Sequence, residues 1–125
     1  MSTIAVVEDN ADNRLLLEAI LDGQYDVVQY ENGVDALAGL EASLPDLVLL
    51  DISLPGMDGN EILARIRRHE RLRRLPVIAL TAHAMAGDRA KYLTAGFDDY
   101  ITKPIVDETI LLGAIGRWLH ASHGE

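Results

Sequence analysis

The sequence predicts an α/β domain of the (βα)5 type, a doubly wound five-stranded parallel sheet with helices on both faces. Three observations predict it. Short apolar segments alternate five times with longer amphipathic segments along the chain. The apolar segments are continuous runs, which is typical of strands covered on both faces of a parallel sheet. At 125 residues the chain has the usual size of one domain, so we expect a single domain over residues 1–125.

The strands are predicted where short runs rich in valine, isoleucine and leucine are bounded by turn residues. They cover residues 3–8 (TIAVVE), 25–30 (YDVVQY), 46–51 (DLVLLD), 76–81 (PVIALT) and 98–102 (DDYIT).

Segments with helical periodicity lie between and after these strands, at about 11–22, 33–43, 60–70, 84–95 and 107–120. The residues at their ends agree with this assignment. Asn10 and Asp107 can cap the first and last helices. Gly23 and Gly96 follow the first and fourth helices, and Pro45 ends the second.

Charge and composition exclude several classes of function. Eleven Lys and Arg against twenty Asp and Glu leave a formal charge of -9, which argues against direct nucleic-acid binding. No apolar run is long enough to span a membrane, and the absence of cysteine rules out disulfides and thiolate metal sites. We therefore expect a cytoplasmic protein. The arginine-rich stretch from Arg65 to Arg74 is interpreted as a solvated helix end.

Polar residues collect where the predicted strands end. Ligands of open parallel sheets bind outside the carboxyl ends of the strands, near the point where the strand order reverses. The residues there are Glu8 and Asp9 after strand one, Asp51 after strand three, Thr81 and Ala82 after strand four, and Lys103 after strand five. If strands one and three are neighbours, as in the flavodoxin-like order 2-1-3-4-5, three carboxylates meet in one pocket. Their repulsion must be relieved by protonation or by a cation, and oxygen ligands with open positions suit Mg²⁺.

These residues, together with the stretch LLDISLPGMDG around Asp51 and the Lys103-Pro104 pair, resemble the receiver domain of two-component response regulators. The resemblance covers essentially the whole chain. It implies that Asp51 is the phosphoacceptor. It also implies a Mg²⁺ site, with Mn²⁺ as a substitute, whose ligands are Glu8, Asp9, Asp51 and the backbone carbonyl of Ser53.

The resemblance assigns roles to four further residues. Thr81 resembles the switch hydroxyl, and Ala82 beside it belongs to the phosphoryl-binding group. Lys103 resembles the cation that pairs with the phosphoryl group, and Tyr100 resembles the switch aromatic residue. Such a receiver accepts and loses its phosphoryl group by self-catalysis and is otherwise not an enzyme.

The phosphoryl donor implied by the resemblance is a histidine kinase or a histidine phosphotransfer protein. Ser53 and His83 follow the phosphoacceptor and the switch threonine by two positions each, so we predict that they tune dephosphorylation. The segment LTAHAMAGDRAKYLTAGFDDYITKPI also resembles receivers attached to hybrid kinases. A single-domain regulator and a receiver from a larger protein therefore both remain open.

Three other classes of protein compete with this interpretation. Aspartyl-nucleophile phosphatases have a DxDx motif at the strand end, in which the second Asp is the general acid. Ser53 occupies that position in this chain, which argues against this class. A flavodoxin-like FMN module would need a phosphate-cradling loop where this chain has EDNADN. A phosphorylation-independent receiver-like interaction module normally lacks one of the site residues, whereas this chain lacks none.

The last predicted helix has an unusually wide apolar arc of about 200°, more than a surface helix needs to face its core. The arc consists of Ile110, Leu111, Leu112, Ala114, Ile115, Trp118 and Leu119. We expect its edge, Leu112 and Leu119, to stay exposed. With the fourth helix and fifth strand this edge is predicted to form the face for a downstream target protein or a homodimer.

Overall fold

The computed structural model describes residues 2–82, 88–103, 105 and 107–123. Along these residues strands and helices alternate. The strands are β1 (Thr3–Val7), β2 (Asp26–Tyr30), β3 (Leu47–Asp51), β4 (Val77–Thr81) and β5 (Asp99–Thr102). The helices are α1 (Ala11–Leu21), α2 (Gly33–Ala42), α3 (Gly59–Arg68), α4 (Asp88–Ala95) and α5 (Glu108–His123).

The strands form one parallel sheet in the order β2-β1-β3-β4-β5. This order confirms the predicted doubly wound, flavodoxin-like fold. The chain winds outward from β1 to β2 and then returns to the other side of β1 to form β3. The reversal leaves a crevice at the carboxyl ends of β1 and β3, which is where such sheets bind ligands.

Each central strand contributes to two cores because its successive side chains point to opposite faces of the sheet. Val7 and Leu50 belong to the core that includes residues of α2, α3 and α4. Their neighbours Val6 and Leu49 belong to the core that includes residues of α1 and α5. Coverage on both faces is the physical reason that these strands are apolar without alternation.

Side chains cap four of the helices, at the predicted positions Asn10 and Asp107 and also at Asn32 and Asp58. Asn10 accepts the backbone N–H three residues later at 3.0 Å. Asn32 and Asp58 do the same for α2 and α3, at 2.8 and 2.9 Å. The Asp107 carboxylate accepts the N–H of Thr109 at 3.0 Å, just before α5 begins. Hydrogen bonds from the Thr109 side chain and backbone lower the pKa of Asp107.

The strands begin and end within one residue of their predicted bounds. α3 ends at Arg68, before the predicted bound, because the backbone of His69 is already extended. α5 continues to His123, beyond the predicted bound. Residues 84–87 of the predicted fourth helix lie outside the described residues. Among the described helices, none is long and apolar enough to cross a membrane.

The predicted exposed edge of α5 is wrong for Leu119. This side chain is 7% exposed and lies in the core of the α1–α5 face, and Leu112 is partly buried against the same core. The helix lies deep enough on the sheet to bury most of its wide arc. Ile110, at the start of the helix, is the exposed member, with 60% of its surface accessible.

The prediction of a solvated helix end is wrong for Arg67. Its guanidinium donates to the carbonyl of Gly96 at 2.8 and 3.1 Å and to that of Leu75 at 2.7 Å. It also donates to Asp98 Oδ2 at 3.0 Å, and that carboxylate oxygen accepts the N–H of Val77 at 2.8 Å. Arg67 therefore ties α3 to the segments that enter β4 and β5.

Candidate functional site

The strand order brings the predicted polar residues to one edge of the sheet. Glu8 follows β1, Asp51 ends β3, Thr81 ends β4, and Lys103 follows β5. The first three are buried, with 1–2% of their surface exposed, whereas Lys103 is partly buried. Because β1, β3, β4 and β5 are consecutive neighbours, residues far apart in sequence form one site.

Three carboxylates meet in the crevice between β1 and β3. Glu8, Asp9 and Asp51 each place a carboxylate oxygen within 4.8 Å of the other two. Asp9 is exposed while the other two are buried, so the cluster opens to solvent on one side. An all-oxygen donor set with an open side is what Mg²⁺ favours, and the residues present therefore fit such an ion.

The ammonium group of Lys103 lies against the buried carboxylates. Its Nζ is 3.0 Å from Asp51 Oδ2 and 3.2 Å from Glu8 Oε1. The backbone N–H of Lys103 donates to the carbonyl of Thr81 at 2.7 Å, which holds the residue beside the end of β4. Lys103 of the segment after β5 thus lies directly beside Asp51, the phosphoacceptor candidate.

Burial and interactions with neighbouring groups shift the pKa values of Glu8 and Lys103. Burial, followed by a hydrogen bond with Asp51, raises the pKa of Glu8 to about 7. Burial lowers the pKa of Lys103, but its hydrogen bonds and charge interactions with Asp51 and Glu8 outweigh this, so the net shift is upward. Lys103 thus stays charged, and Glu8 competes for a proton near neutral pH when no metal is bound.

The first turn of α1 supports Glu8 with contacts that the sequence analysis did not identify. Asn13 Nδ2 donates to Glu8 Oε1 at 3.3 Å, and the N–H of Asn10 donates to Oε2 at 3.2 Å. The Arg14 guanidinium donates to the Glu8 carbonyl at 2.8 Å. In the sequence, the dense polar run EDNADNR could have indicated these contacts with Glu8. A helix that starts directly after a strand points its first polar side chains back toward the end of that strand.

The loop after β3 orients Asp51. The N–H of Ser53 donates to Asp51 Oδ1 at 2.9 Å, while the Ser53 side chain is exposed. Gly56 has φ 78°, a left-handed conformation that favours glycine. At Gly59 an added Cβ would lie 2.6 Å from the Asp51 carbonyl oxygen and 2.8 Å from Ile52 Cα. Glycine at position 59 lets the start of α3 pack directly on the backbone of the phosphoacceptor candidate.

The Thr81 hydroxyl contacts a residue that the sequence analysis did not single out. Thr81 Oγ1 lies 2.8 Å from the hydroxyl of Tyr92 in α4. Tyr100 is half-buried, and its ring centroid is 5.6 Å from that of Tyr92. Ala82 is exposed just beyond β4. Tyr92 is the aromatic residue of α4, and this was the signal in the sequence, but its partner depends on how the helix packs on the sheet.

Two residues of the predicted constellation cannot be placed. His83, predicted to tune dephosphorylation, and Pro104 of the Lys-Pro pair lie outside the described residues.

Comparison with known families decides what kind of protein carries this site. Residues 4–115 match the response regulator receiver domain. The chain belongs to this family. Receiver domains are the signalling switches of two-component phosphorelays rather than classical enzymes.

Similar receivers occur both in sensor kinases and as small regulators. The chain is 40% identical over 119 residues to the sensor protein GacS of Pseudomonas syringae pv. syringae, covering 92% of this chain and 13% of GacS. It is 38% identical over 104 residues to the polar-differentiation response regulator DivK of Brucella anthropi, covering 82% of this chain and 85% of DivK. The receiver thus spans only a small part of the sensor protein that it matches.

A solved structure agrees with the fold. The receiver domain of the sensor histidine kinase PA1611 from Pseudomonas aeruginosa PAO1 superposes with a TM-score of 0.85 at 39% sequence identity. The match covers 94% of this chain and 97% of the other. That receiver has a magnesium ion coordinated in its active-site cleft.

Proposed function

We propose that this receiver, residues 1–125, accepts a phosphoryl group on Asp51 from a phosphohistidine of a histidine kinase or phosphotransfer protein. The observation that carries the proposal is the approach of Lys103 Nζ to 3.0 Å from Asp51 Oδ2, inside a cluster of three carboxylates. A buried nucleophile with a fixed cation beside it is suited to phosphoryl transfer, which depends on positioning and charge neutralisation.

The transfer exchanges one bond for another. A carboxylate oxygen of Asp51 attacks phosphorus and forms a P–O bond, while the P–N bond to the donor imidazole breaks and its electron pair returns to the nitrogen. Lys103 remains protonated and neutralises negative charge on the transferring oxygens. Glu8, Asp9, Asp51 and the Ser53 carbonyl would hold Mg²⁺, with Mn²⁺ as a substitute. When bound, that ion supplies further positive charge at the phosphoryl oxygens.

The phosphorylated state is read out through Thr81 and Tyr100. A phosphoryl group on Asp51 accepts a hydrogen bond from the Thr81 hydroxyl, with Ala82 beside it at the end of β4. This draws the end of β4 inward and changes the surroundings of Tyr100 in β5. Phosphorylation thereby shifts the equilibrium between two conformations of the receiver. The size of the shift depends on the difference between the interactions that the two conformations make with the phosphoryl group. Ser53 and His83 are proposed to tune the later hydrolysis of the acyl phosphate.

The output face is proposed to lie on α4, β5 and α5. A groove of about 540 Å³ between β5 and α5 is lined by residues that include Tyr100, Lys103, Ile110 and Arg117. Because Leu119 is buried, Ile110 takes the place of the leucine edge as the apolar contact on this face. The groove borders both the site and the switch aromatic residue, so a downstream target or a second copy can sense phosphorylation there. Since the donor kinase draws on ATP, we place the exchange in the cytoplasm.

Incubation with acetyl phosphate and Mg²⁺ tests the phosphoacceptor. The wild-type protein should gain one phosphoryl group that hydroxylamine removes, as expected for an acyl phosphate, and chelation of the metal should abolish the gain. Asp51→Asn removes the nucleophile, and Asp58→Asn is the matched control because Asp58 caps α3 outside the carboxylate cluster. Equal labelling of Asp51→Asn and wild type would refute the assignment.

A further inference from the structure

The hydroxyl groups of Thr81 and Tyr92 form a buried hydrogen bond. Thr81 Oγ1 and Tyr92 Oη are 2.8 Å apart, and the two residues are only 2% and 4% exposed. Water cannot readily replace a partner at such a position, so breaking the bond has a cost that an exposed pair would not show.

The ring of Tyr92 is held by aromatic neighbours. It meets Phe97 edge-on, with centroids 6.1 Å apart at 83°, and it lies beside Tyr100, with centroids 5.6 Å apart at 38°. It also belongs to the core that includes residues of α2 and α3. Because the ring is packed on several sides, its hydroxyl cannot follow Thr81 over a long path without disturbing Tyr100.

We propose that Tyr92 is a positioning residue that retains the Thr81 hydroxyl in the unphosphorylated receiver. The inference rests on the proposed function, in which a phosphoryl group on Asp51 recruits that hydroxyl. Recruitment then breaks the bond between Thr81 and Tyr92, and the Tyr92 ring passes the change to its neighbour Tyr100 and to α4. The Thr81–Tyr92 bond thus sets how much binding energy the phosphoryl group must supply to switch the protein.

The direction in which Tyr92→Phe changes the affinity for a phosphoryl mimic follows from the Thr81–Tyr92 bond, which is present in the unphosphorylated state and broken in the switched state. Tyr92→Phe keeps the packed ring and removes only the hydroxyl, so it removes the bond to Thr81 that stabilises the unphosphorylated state and is broken in the switched state. The variant should therefore bind a phosphoryl mimic more tightly than the wild type. The net value of one hydrogen bond corresponds to a change of about two- to tenfold in affinity.

The experiment is a titration of beryllofluoride at saturating Mg²⁺, followed by amide NMR, in a double-mutant cycle. The four proteins are wild type, Tyr92→Phe, Thr81→Ala and the double variant. Tyr92→Phe should tighten binding by about two- to tenfold, and this gain should vanish in the Thr81→Ala background. Tyr25→Phe, which removes a hydroxyl from a ring packed against the core of the opposite sheet face, is the matched control and should bind as wild type.

The outcomes separate the two proposals. If the wild type does not bind beryllofluoride, the proposed function fails. If the wild type binds but Tyr92→Phe binds equally or more weakly, or gains as much in the Thr81→Ala background, the positioning role is overturned.

Should Tyr92→Phe not fold, wild type labelled with ¹³C at the tyrosine ζ carbons provides the test. The assigned Tyr92 resonance should shift when beryllofluoride is added, because its hydroxyl loses Thr81. An unchanged resonance would overturn the proposal.

Discussion

Lys103 Nζ and Asp51 Oδ2 are 3.0 Å apart although 52 positions separate the two residues in the sequence. The contact exists because β3 and β5 flank β4 in the sheet, so their ends face each other across it. The same ammonium is 3.2 Å from Glu8 Oε1, which makes Lys103 the cation shared by two buried carboxylates.

Replacing Lys103 by Met should impair both chemistry and stability. The rate of phosphorylation by acetyl phosphate should fall about 10²- to 10³-fold, because a fixed charge at the transferring group is lost. In the absence of Mg²⁺ the free energy of unfolding should fall by about 1–3 kcal/mol, since the buried carboxylates lose their partner. Urea unfolding with and without Mg²⁺ measures the loss of stability. Arg68→Met, at an exposed position of α3, is the control, and an unchanged phosphorylation rate in Lys103→Met would contradict the role of Lys103.

The affinity for Mg²⁺ should depend on pH through Glu8. Its pKa is raised to about 7, and the carboxyl group must lose its proton to bind a metal. As pH increases toward this pKa, the apparent affinity for Mg²⁺ should rise by about tenfold per pH unit, and above the pKa it should level off. Titration of Mg²⁺ between pH 5.5 and 8.5, followed by amide NMR, measures the profile. Glu8→Gln should bind Mg²⁺ weakly with no step near pH 7, and a flat profile in the wild type would exclude Glu8 as the titrating ligand.

The stability of the metal-free protein should change with pH in the opposite direction. The Glu8 pKa is about 7 in the folded state against an ordinary value of 4.5, so the folded state holds an extra proton between these two pH values. The free energy of unfolding attributable to Glu8 therefore falls as pH rises from about 4.5 to 7. The difference in urea stability between wild type and Glu8→Gln isolates this contribution. A difference that does not vary over this range would contradict the raised pKa.

Gly59→Ala should destabilise the protein by about 1–3 kcal/mol, because the new Cβ would lie 2.6 Å from the Asp51 carbonyl oxygen. The displaced backbone should also slow phosphorylation of Asp51. Gly113→Ala is the matched control, since its Cβ meets nothing within 4 Å and the residue lies inside α5. That substitution should stabilise the protein by about 0.5–1 kcal/mol. Equal effects of the two variants in urea unfolding would contradict the close approach at position 59.

Arg67→Lys should cost about 2–4 kcal/mol of stability although the charge is kept. A single ammonium cannot reproduce the bonds of the guanidinium to the carbonyls of Gly96 and Leu75 and to Asp98. Arg68→Lys, at an exposed position of the same helix, should change stability by less than about 0.5 kcal/mol. A loss in Arg67→Lys no larger than in Arg68→Lys would restore the interpretation of a solvated helix end.

The sequence by itself determined the strands, the helices and the place of the site. Continuous apolar runs such as LVLLD can be satisfied only by strands covered on both faces, and caps such as Asn10 mark where helices begin. These signals are local, because they depend on periodicity and on backbone hydrogen bonds within a few residues. Since parallel strands end at the same edge, locating Glu8, Asp51, Thr81 and Lys103 at strand ends, together with the flavodoxin-like strand order, predicted that they meet.

Only the tertiary structure decided which side chains touch. Whether Leu119 is buried depends on how deeply α5 lies on the sheet. Whether Tyr92 reaches Thr81 depends on how α4 is rotated about its axis relative to the sheet. Arg67 looks like its exposed neighbours in the sequence, yet it reaches Asp98, 31 positions away. A period of 3.6 residues specifies which face of a helix is apolar, but not the depth, rotation and crossing angle with which that face docks. Those quantities come from packing the whole core at once, and they fix the contacts that tune this site.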